Sequence, residues 1–380
     1  MFKILIGSDI VPTPVNIDLF EAGDDKALVG EELVDKLKEA DFRVFNLETP
    51  ICDKEDPIIK CGPNLIAPTR TMPGIKALNP SLMALANNHI LDQGDQGLFE
   101  TIEQLKMWNI PYMGVGENLQ EAQKPYIIEA DGKRIGVYNC AEHEFTIATD
   151  DKAGANPFDV FESLEHIADL KAKCDFVIVL YHGGKEYNPY PSPYLRKVCR
   201  KIAEKGADLV ICQHTHCIGC QEEHNGGIIV YGQGNFLFNK KSNYPCWYTS
   251  ILVEVEFTNK MKVDYIPTYI YENGIRLAKG EKAKEIIDAF YMRSKEILQK
   301  GVVEEKFSKF ADELRNDYLY AIAGGQEALN ADFQEFVEKR MNYSTKALAR
   351  MWNYITCEPH FEVLTTAISN LMEKELREKE

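Results

Sequence analysis

The sequence lacks any apolar run that approaches the roughly 20 residues needed to cross a bilayer as a helix. It is also short of basic residues, with 43 Lys and Arg against 59 Asp and Glu, which gives a net charge of -16. Nucleic-acid surfaces need clustered Lys and Arg, so this balance argues against nucleic-acid binding. An anionic substrate stays open, because bound divalent cations can reverse the local field.

A disulfide framework is also missing. The ten cysteines are scattered, and many lie in apolar runs where a reduced thiol acts as a small hydrophobe. Cys217 and Cys220 form the one close pair, but no second pair completes a zinc knuckle, so we interpret them as loop residues. The chain opens with a strand-like run that reaches Asp9 before any signal-peptide cleavage pattern develops. We expect a cytoplasmic protein without a transmembrane segment.

Apolar runs of four to seven residues alternate with helix-like stretches as far as residue 212, which is typical of a layered α/β fold. The predicted helices are 28–40, 94–109, 159–173 and 193–206. Around 111–140 and 227–271 the connections shorten, which predicts either a mixed sheet or two sheets face to face. From about residue 280 the sequence favours helices, through 283–300, 302–323 and 345–380. We therefore divide the 380 residues into a domain at 1–275 and a helical extension at 276–380.

Five of the apolar runs end in polar groups that can bind a metal. Carboxyl ends of strands in an α/β sheet open onto a shared crevice, so these groups can meet although they are distant in sequence. Carboxylate, imidazole and amide oxygen together suit Mn, Zn or Fe, and their number suits a two-metal centre that activates water. The groups are Asp9, Glu48, Asn88, His182, and His214 with His216.

Several short sequence segments, taken in their order along the chain, resemble those of a known family. The chain resembles the capsule-synthesis CapA (poly-γ-glutamate synthesis) family, whose domain is similar to the calcineurin-like metallophosphoesterases. The resemblance covers roughly residues 1–271 and implies a four-layer α/β/β/α sandwich, here with a C-terminal helical appendage. The matching segments are Asn46-Leu47-Glu48, Leu85-Ala86-Asn87-Asn88-His89 with Asp92 and Gly94, Gly114-Val115-Gly116-Glu117-Asn118 with Glu121-Ala122 and Pro125, His182-Gly183-Gly184-Lys185-Glu186-Tyr187, Gly206-Ala207-Asp208-Leu209-Val210, His214-Thr215-His216 and Gly234-Asn235-Phe236.

The resemblance implies one or two bound divalent ions (Mn, Fe or Zn). Glu48 stands where metallophosphoesterases place a bridging aspartate, and His216 shares the second ion with Asp9. The ligands of the first ion are Asn88, His182 and His214.

The resemblance also implies a catalytic group, and the positions of other residues in the sequence make them candidates for substrate binding. His89 matches a catalytic histidine and is a candidate general acid, which Asp92 orients. The candidate substrate contacts are Asn46, Lys185, Glu186 and Asn235. Lys60 and Arg70 are candidate anion contacts in a long irregular stretch, but we interpret both as solvated surface charges. We interpret His143, His166, His224 and His360 as structural or surface residues.

Two departures from the metallophosphoesterase pattern concern the second ion. Val11 stands where a histidine usually follows the first aspartate, and Glu48 replaces a shorter aspartate. The site then binds either one metal or a second ion that enters with substrate.

The leading hypothesis is a metal-dependent hydrolase of a phosphoester or a γ-glutamyl amide in capsule or poly-γ-glutamate metabolism. Its substrate is then an anionic small molecule or polymer fragment. The alternatives are a non-catalytic accessory component of polymer synthesis and a metal-assisted small-anion binding protein. The C-terminal helices are a candidate surface for forming a homo-oligomer.

Overall fold

The computed structural model describes residues 1–322 and 344–377. Its strands are β1 (Phe2–Ile10), β2 (Phe42–Leu47), β3 (Leu82–Ala84), β4 (Tyr112–Met113), β5 (Val115–Gly116), β6 (Tyr126–Ala130), β7 (Lys133–Ala141), β8 (Gly154–Ala155), β9 (Phe176–His182), β10 (Leu209–Gln213), β11 (Gln221–His224), β12 (Gly227–Val230), β13 (Asn235–Leu237), β14 (Thr249–Phe257), β15 (Met261–Tyr271) and β16 (Gly274–Leu277).

The helices lie mainly between strands, as the alternating sequence pattern predicts. The α/β class is confirmed. The helices are α1 (Ile17–Ala22), α2 (Asp25–Val29), α3 (Glu31–Glu39), α4 (Met72–Ala77), α5 (Gly94–Met107), α6 (Leu119–Ala122), α7 (Glu162–Lys171), α8 (Pro193–Glu204), α9 (Gly280–Glu296), α10 (Val302–Ile322), α11 (Thr345–Thr356) and α12 (Glu358–Arg377).

Two large sheets make up the first three quarters of the chain. One has the order β16-β15-β14-β1-β2-β3-β4, with β13 also paired to β1. The other has the order β11-β12-β10-β9-β7-β6. In the first sheet β1, β2, β3 and β4 are parallel, and in the second β7, β9, β10 and β12 are parallel. Both arrangements left open by the sequence occur, because there are two large sheets and each mixes parallel with antiparallel pairs; β5 and β8 form a separate two-stranded sheet.

The apolar side chains explain why the sheets stack. Successive residues of a strand point to opposite faces, so β1 places Ile4 and Ile6 in one cluster and Leu5 in another. The cluster with Ile4 also contains Ile178 and Ile211 of the second sheet, and it fills the space between the sheets. Two other large apolar clusters lie on the outer faces of the sheets, where side chains of helices pack against side chains of strands. The order is therefore helix, sheet, sheet, helix.

The C-terminal part is helical, as predicted, and it contacts the layered part. Phe307, Tyr318 and Val363 are buried where α10 packs on α12. The hydrogen bond from the Tyr194 backbone N–H to Glu362 ties α12 to the start of α8. Strand β16 continues to Leu277, and the division at 275/276 stays a prediction. Ala323 and residues 378–380 of the predicted helices lie outside the described residues. Among the described helices, none is long and apolar enough to cross a membrane.

A buried carboxylate holds the edge strand β11 against α8. Glu222 accepts hydrogen bonds from the guanidinium groups of Arg196 and Arg200 and from the Tyr231 hydroxyl. Burial alone opposes ionisation of this carboxyl, but these donors outweigh burial and lower its pKa to about 2. The folded state therefore strongly favours the ionised form.

Glu222→Gln is expected to lower the free energy of unfolding by about 2–4 kcal/mol at neutral pH, because both guanidinium groups lose their carboxylate. The folded pKa lies below the ordinary 4.5, so this stabilisation is complete above that pH and is lost as the pH falls toward 2. Denaturant unfolding at several pH values measures the difference. Glu223→Gln, an exposed neighbour, is the control. If the free energies of unfolding of Glu222→Gln and the native sequence differed as much near pH 2 as at neutral pH, this explanation would be wrong.

Candidate metal centre

The two parallel strand sets end at one place, although they belong to different sheets. Asp9 is near the end of β1, and Glu48 directly follows β2. His182 is the last residue of β9, and His214 directly follows β10. We expected the crevice at the carboxyl ends of strands in one sheet, but it is formed by the carboxyl ends of strands from two sheets. Asp9, Glu48, His182 and His214 are all buried there.

One group of candidate ligands surrounds a carboxylate oxygen of Glu48. His182 Nε2 lies 3.2 Å from Glu48 Oε1 and 3.0 Å from Asn88 Oδ1. His214 Nδ1 lies 4.0 Å from the same Glu48 oxygen. Ligand atoms of Glu48, His182 and His214 all lie within 4.8 Å of one another. The structure therefore brings together the four residues predicted for the first ion.

A second group shares Glu48 with the first. Asp9, Glu48 and His216 offer ligand atoms within 4.8 Å of one another, and His216 Nδ1 lies 3.7 Å from Asp9 Oδ2. His216 Nδ1 also lies 2.8 Å from Asn235 Oδ1. The Asn235 amide thus fixes the orientation of the His216 ring beside Asp9. Glu48 therefore stands between two groups, as a bridging carboxylate would.

Unpartnered buried atoms show that this donor set fits a cation. Within the described part of the chain, Asp9 Oδ2, both carboxylate oxygens of Glu48 and His214 Nδ1 are buried without a hydrogen bond. Buried polar atoms are normally satisfied, and leaving one unpaired costs about 1–3 kcal/mol or more. Four such atoms at one place, all of types that bind divalent metals, are explained by a metal centre.

Burial shifts the pKa values of this centre in the direction that favours neutral groups. It raises the pKa of Glu48 to about 8 and, helped by the nearby Glu48 charge, raises the pKa of Asp9 well above its usual range. It lowers the pKa of His182, His214 and His216 to about 3. The imidazoles are therefore neutral ligands at physiological pH. Protons on the two carboxyls compete with a cation, so binding a cation releases protons.

The turn after β10 has an unusual backbone. His214 has φ 85° and His216 has φ 55°, a region that residues other than glycine seldom adopt. Such conformations cost of order 1–3 kcal/mol each and cluster at functional sites. The turn directs both imidazoles to the same crevice. The backbone N–H of Tyr187 donates to the Thr215 carbonyl at 2.8 Å and braces the turn from the loop after β9.

The predicted catalytic pair is in contact, and a third residue joins it. His89 Nδ1 is hydrogen-bonded to Asp92 Oδ2, and Asp92 Oδ1 accepts from Lys60 Nζ at 2.6 Å. Lys60 also donates to the Asn88 carbonyl at 3.1 Å. Interpreting Lys60 as a solvated surface charge is wrong, because its side chain is only 1% exposed. By contrast, Arg70 is a surface residue, with a 60% exposed side chain that pairs with Glu21.

Two of the predicted substrate contacts are hydrogen-bonded to candidate metal ligands. Asn46 Nδ2 donates to Asp9 Oδ1 at 2.7 Å, and Asn235 accepts from His216. These contacts favour orienting roles for both asparagines. Lys185 and Glu186 are partly buried in the loop after β9. Burial opposes ionisation of Glu186, but Lys185 and the site histidines outweigh it and lower the Glu186 pKa to about 2. Substrate contact by either loop residue stays a prediction.

Residues 9–240 match the family described as bacterial capsule synthesis protein PGA_cap. The chain belongs to this family. Membership confirms the resemblance drawn from the sequence segments, and the matched residues include every candidate metal ligand from Asp9 to His216. The PGA_cap match ends before α9, so the C-terminal helices lie outside it.

Two curated relatives are named for capsule or PGA biosynthesis. The capsule biosynthesis protein CapA of Bacillus anthracis is 30% identical over 214 residues, which are 54% of this chain and 52% of the relative. The PGA biosynthesis protein CapA of Bacillus subtilis (strain 168) is 29% identical over 173 residues, 44% of each chain. This PGA_cap chain therefore spans about half the length of the curated relatives it matches.

Solved structures similar to the chain include two phosphate-ester enzymes by name. A phosphatase from Mycoplasma pneumoniae has a TM-score of 0.43 at 15% identity, covering 70% of this chain and 92% of that one. A 5'-nucleotidase precursor from Thermus thermophilus has a TM-score of 0.40 at 15% identity, covering 76% of this chain and 58% of that one.

Sequence reasoning missed two carboxylates of this PGA_cap site. Glu142 directly follows β7, and its Oε1 lies 3.3 Å from His214 Nε2. A ligating histidine commonly gives its second ring N–H to such a carboxylate. Burial raises the pKa of Glu142 well above its usual range. Glu144 lies beside it, in one group with Glu142 and His214. The rule that found the other strand ends also applies to β7, because Glu142 ends an apolar run.

Proposed function

We propose that this chain is a divalent-metal-dependent hydrolase that cleaves a phosphoester or a γ-glutamyl amide in capsule or poly-γ-glutamate metabolism. The observation that carries the proposal is the carboxylate of Glu48, shared by two groups of ligands and buried with both oxygens unpartnered. The biosynthetic context comes from the names of the Bacillus relatives. The metal is Mn, Fe or Zn, which suit mixed carboxylate, amide and imidazole donors.

The proposed roles divide between ion binding and proton transfer. When bound, the cations polarise the scissile bond and activate water. The first ion is held by Glu48 with Asn88, His182 and His214, and the second by Glu48 with Asp9 and His216. Glu142 fixes the orientation of His214, since it accepts from the ring nitrogen opposite the metal side.

The proton donor is His89. Its Nδ1 is fixed by Asp92, which leaves Nε2 to protonate the departing group. Lys60 offsets the charge of Asp92 and ties the loop before α4 to the Asn88 carbonyl, so it positions the acid and one ligand together. The substrate is an anionic small molecule or polymer fragment, attracted by the cations despite the acidic chain.

The test is a hydrolase screen with added Mn²⁺, Fe²⁺ or Zn²⁺ over phosphomonoesters, phosphodiesters and γ-glutamyl peptides. We expect metal-dependent turnover in one class. His214→Ala should lose bound metal and turnover together, whereas the matched variant His224→Ala, on the edge strand β11, should keep both. Full metal occupancy in His214→Ala would rule out the assignment.

A second candidate function is binding of a small anion without turnover. Val11 favours it, because this residue packs in an apolar cluster with Phe238 and Trp247 and adds no ligand on the Asp9 side. Calorimetry with sugar phosphates and glutamyl peptides, with and without Mn²⁺, separates the two functions. Saturable metal-dependent binding, with no product formed, supports the binding protein. An accessory role in polymer synthesis and assembly through the C-terminal helices stay predictions.

A further inference from the structure

A second set of metal-binding side chains lies where the C-terminal helices meet the layered domain. Glu144, from the segment after β7, lies with Cys357, the residue between α11 and α12, and with His360 in the first turn of α12. Ligand atoms of the three residues all lie within 4.8 Å of one another. None of the three was a candidate ligand on sequence grounds.

The nitrogen of His360 and the oxygen of Glu144 are farther apart than in an ordinary hydrogen bond. His360 Nε2 lies 3.5 Å from Glu144 Oε1, and Cys357 Sγ lies 4.0 Å from the same oxygen. Nitrogen and oxygen atoms that share a hydrogen bond are about 2.7–3.2 Å apart. Around a tetrahedral zinc, with bonds of about 2.0–2.3 Å, neighbouring ligand atoms lie roughly 3.3–3.6 Å apart. A small contraction would bring these three atoms to that spacing.

The second nitrogen of His360 is already held as ligating histidines require. Its Nδ1 lies 2.6 Å from the Tyr318 hydroxyl, and its ring stacks on Tyr354 with centroids 5.1 Å apart. Outer partners of this kind fix the ring and leave the other nitrogen for a metal. The other nitrogen, Nε2, faces Glu144. The orientation of the imidazole therefore fits a metal position.

A second acidic side chain lies beside the Cys357 thiol. Glu142 Oε1 is 3.9 Å from Cys357 Sγ, and Glu144 Oε1 is 4.0 Å from it. Oxygen donors therefore flank the sulfur on the side of the layered domain.

We propose that Glu144, Cys357 and His360 form a zinc site, separate from the Glu48 centre, that fastens α12 to the domain. Sulfur with nitrogen and oxygen selects zinc over magnesium, calcium or manganese. The fourth position is beside Glu142 Oε1, which completes a tetrahedron either directly or through water. Because Cys357 and His360 lie outside residues 9–240, the site is a feature of this chain beyond its family match.

Cobalt substitution of the full chain tests the site by its sulfur ligand. Co²⁺ bound to a thiolate gives an intense near-ultraviolet charge-transfer absorption, and the Glu48 centre contains no sulfur donor among its candidate ligands. We expect this absorption in the native sequence. Cys357→Ser should lose it together with one equivalent of bound zinc, whereas Cys220→Ser, another buried cysteine, should keep both.

Two further variants keep the test decisive. His214→Ala should lose metal from the Glu48 centre and keep the sulfur absorption, so failure of the proposed hydrolase and failure of the zinc site are distinguishable. If Cys357→Ser does not fold, His360→Gln replaces it and should weaken zinc binding at least tenfold. A native chain without sulfur-to-cobalt absorption, or the same absorption in Cys357→Ser, would overturn the proposal.

Discussion

Glu48→Gln is expected to remove tight binding at both positions of the Glu48 centre and to lower turnover at least about a thousandfold. The residue belongs to both ligand groups, so one substitution affects both ions. Metal ions contribute several kcal/mol of charge stabilisation, and each 1.4 kcal/mol is about tenfold in rate. Elemental analysis of purified protein and steady-state kinetics on any substrate found by the screen measure the two losses.

The same substitution is expected to leave the metal-free fold intact. Glu48 is fully buried, and burial raises its pKa to about 8, so its ionised form opposes folding. A neutral amide is less costly to bury than a carboxylate. After chelation, Glu48→Gln should therefore melt at or above the temperature of the native sequence. With Mn²⁺ added, only the native sequence should gain stability.

The matched control is Glu254→Gln on β14. This glutamate is also buried and has an unpartnered Oε2 in the described structure, but it lies on the strand flanking Leu5, away from the crevice. It should keep full metal content and turnover. Full metal occupancy in Glu48→Gln, or equal loss in Glu254→Gln, would show that the shared carboxylate does not hold the ions.

The sequence was sufficient to predict the main alternation of strands and helices and the strand ends that meet in the crevice, although α1, α4 and α6 were not predicted. The spacing of apolar residues and the residues that begin or end a helix are local properties of the sequence. Helices α5 and α8 therefore begin at the predicted residues, Gly94 and Pro193. The strand-end rule also needs only local information, and it found Asp9, Glu48 and His214. It could not tell that these residues belong to two sheets, because pairing partners are set by long-range packing.

The residues that sequence reasoning misjudged are those whose surroundings come from distant segments. Lys60 lies in an irregular stretch, where a charged side chain is normally solvated. In the folded chain it is buried and paired with Asp92, which lies 32 residues later in the sequence. His360, interpreted as a structural or surface residue, also contacts Glu144 across more than 200 residues. A pattern read over a few neighbouring residues contains no information on such long-range contacts.

His89→Asn is expected to reduce kcat by about 10²–10⁴-fold on substrates whose leaving group needs a proton, which is the usual contribution of a general acid. The loss should be much smaller for an activated aryl ester, whose leaving group departs without protonation. Asp92 and Lys60 keep their own ion pair in the variant, so metal content and folding should be preserved. Kinetics on a pair of substrates that differ only in the leaving group measure the effect.

The leaving-group dependence separates proton donation from positioning. If His89 only braced the Asn88 turn, its removal would disturb a metal ligand and slow both substrates equally, because the cations act on either bond. Lys60→Met provides that comparison, since Lys60 donates to the Asn88 carbonyl and to Asp92 and is buried in these contacts. We expect it to slow the activated substrate as well, because Asn88 loses its support, whereas His166→Asn, beside Tyr138, should slow neither substrate. An equal loss on both substrates in His89→Asn would assign the proton to another donor.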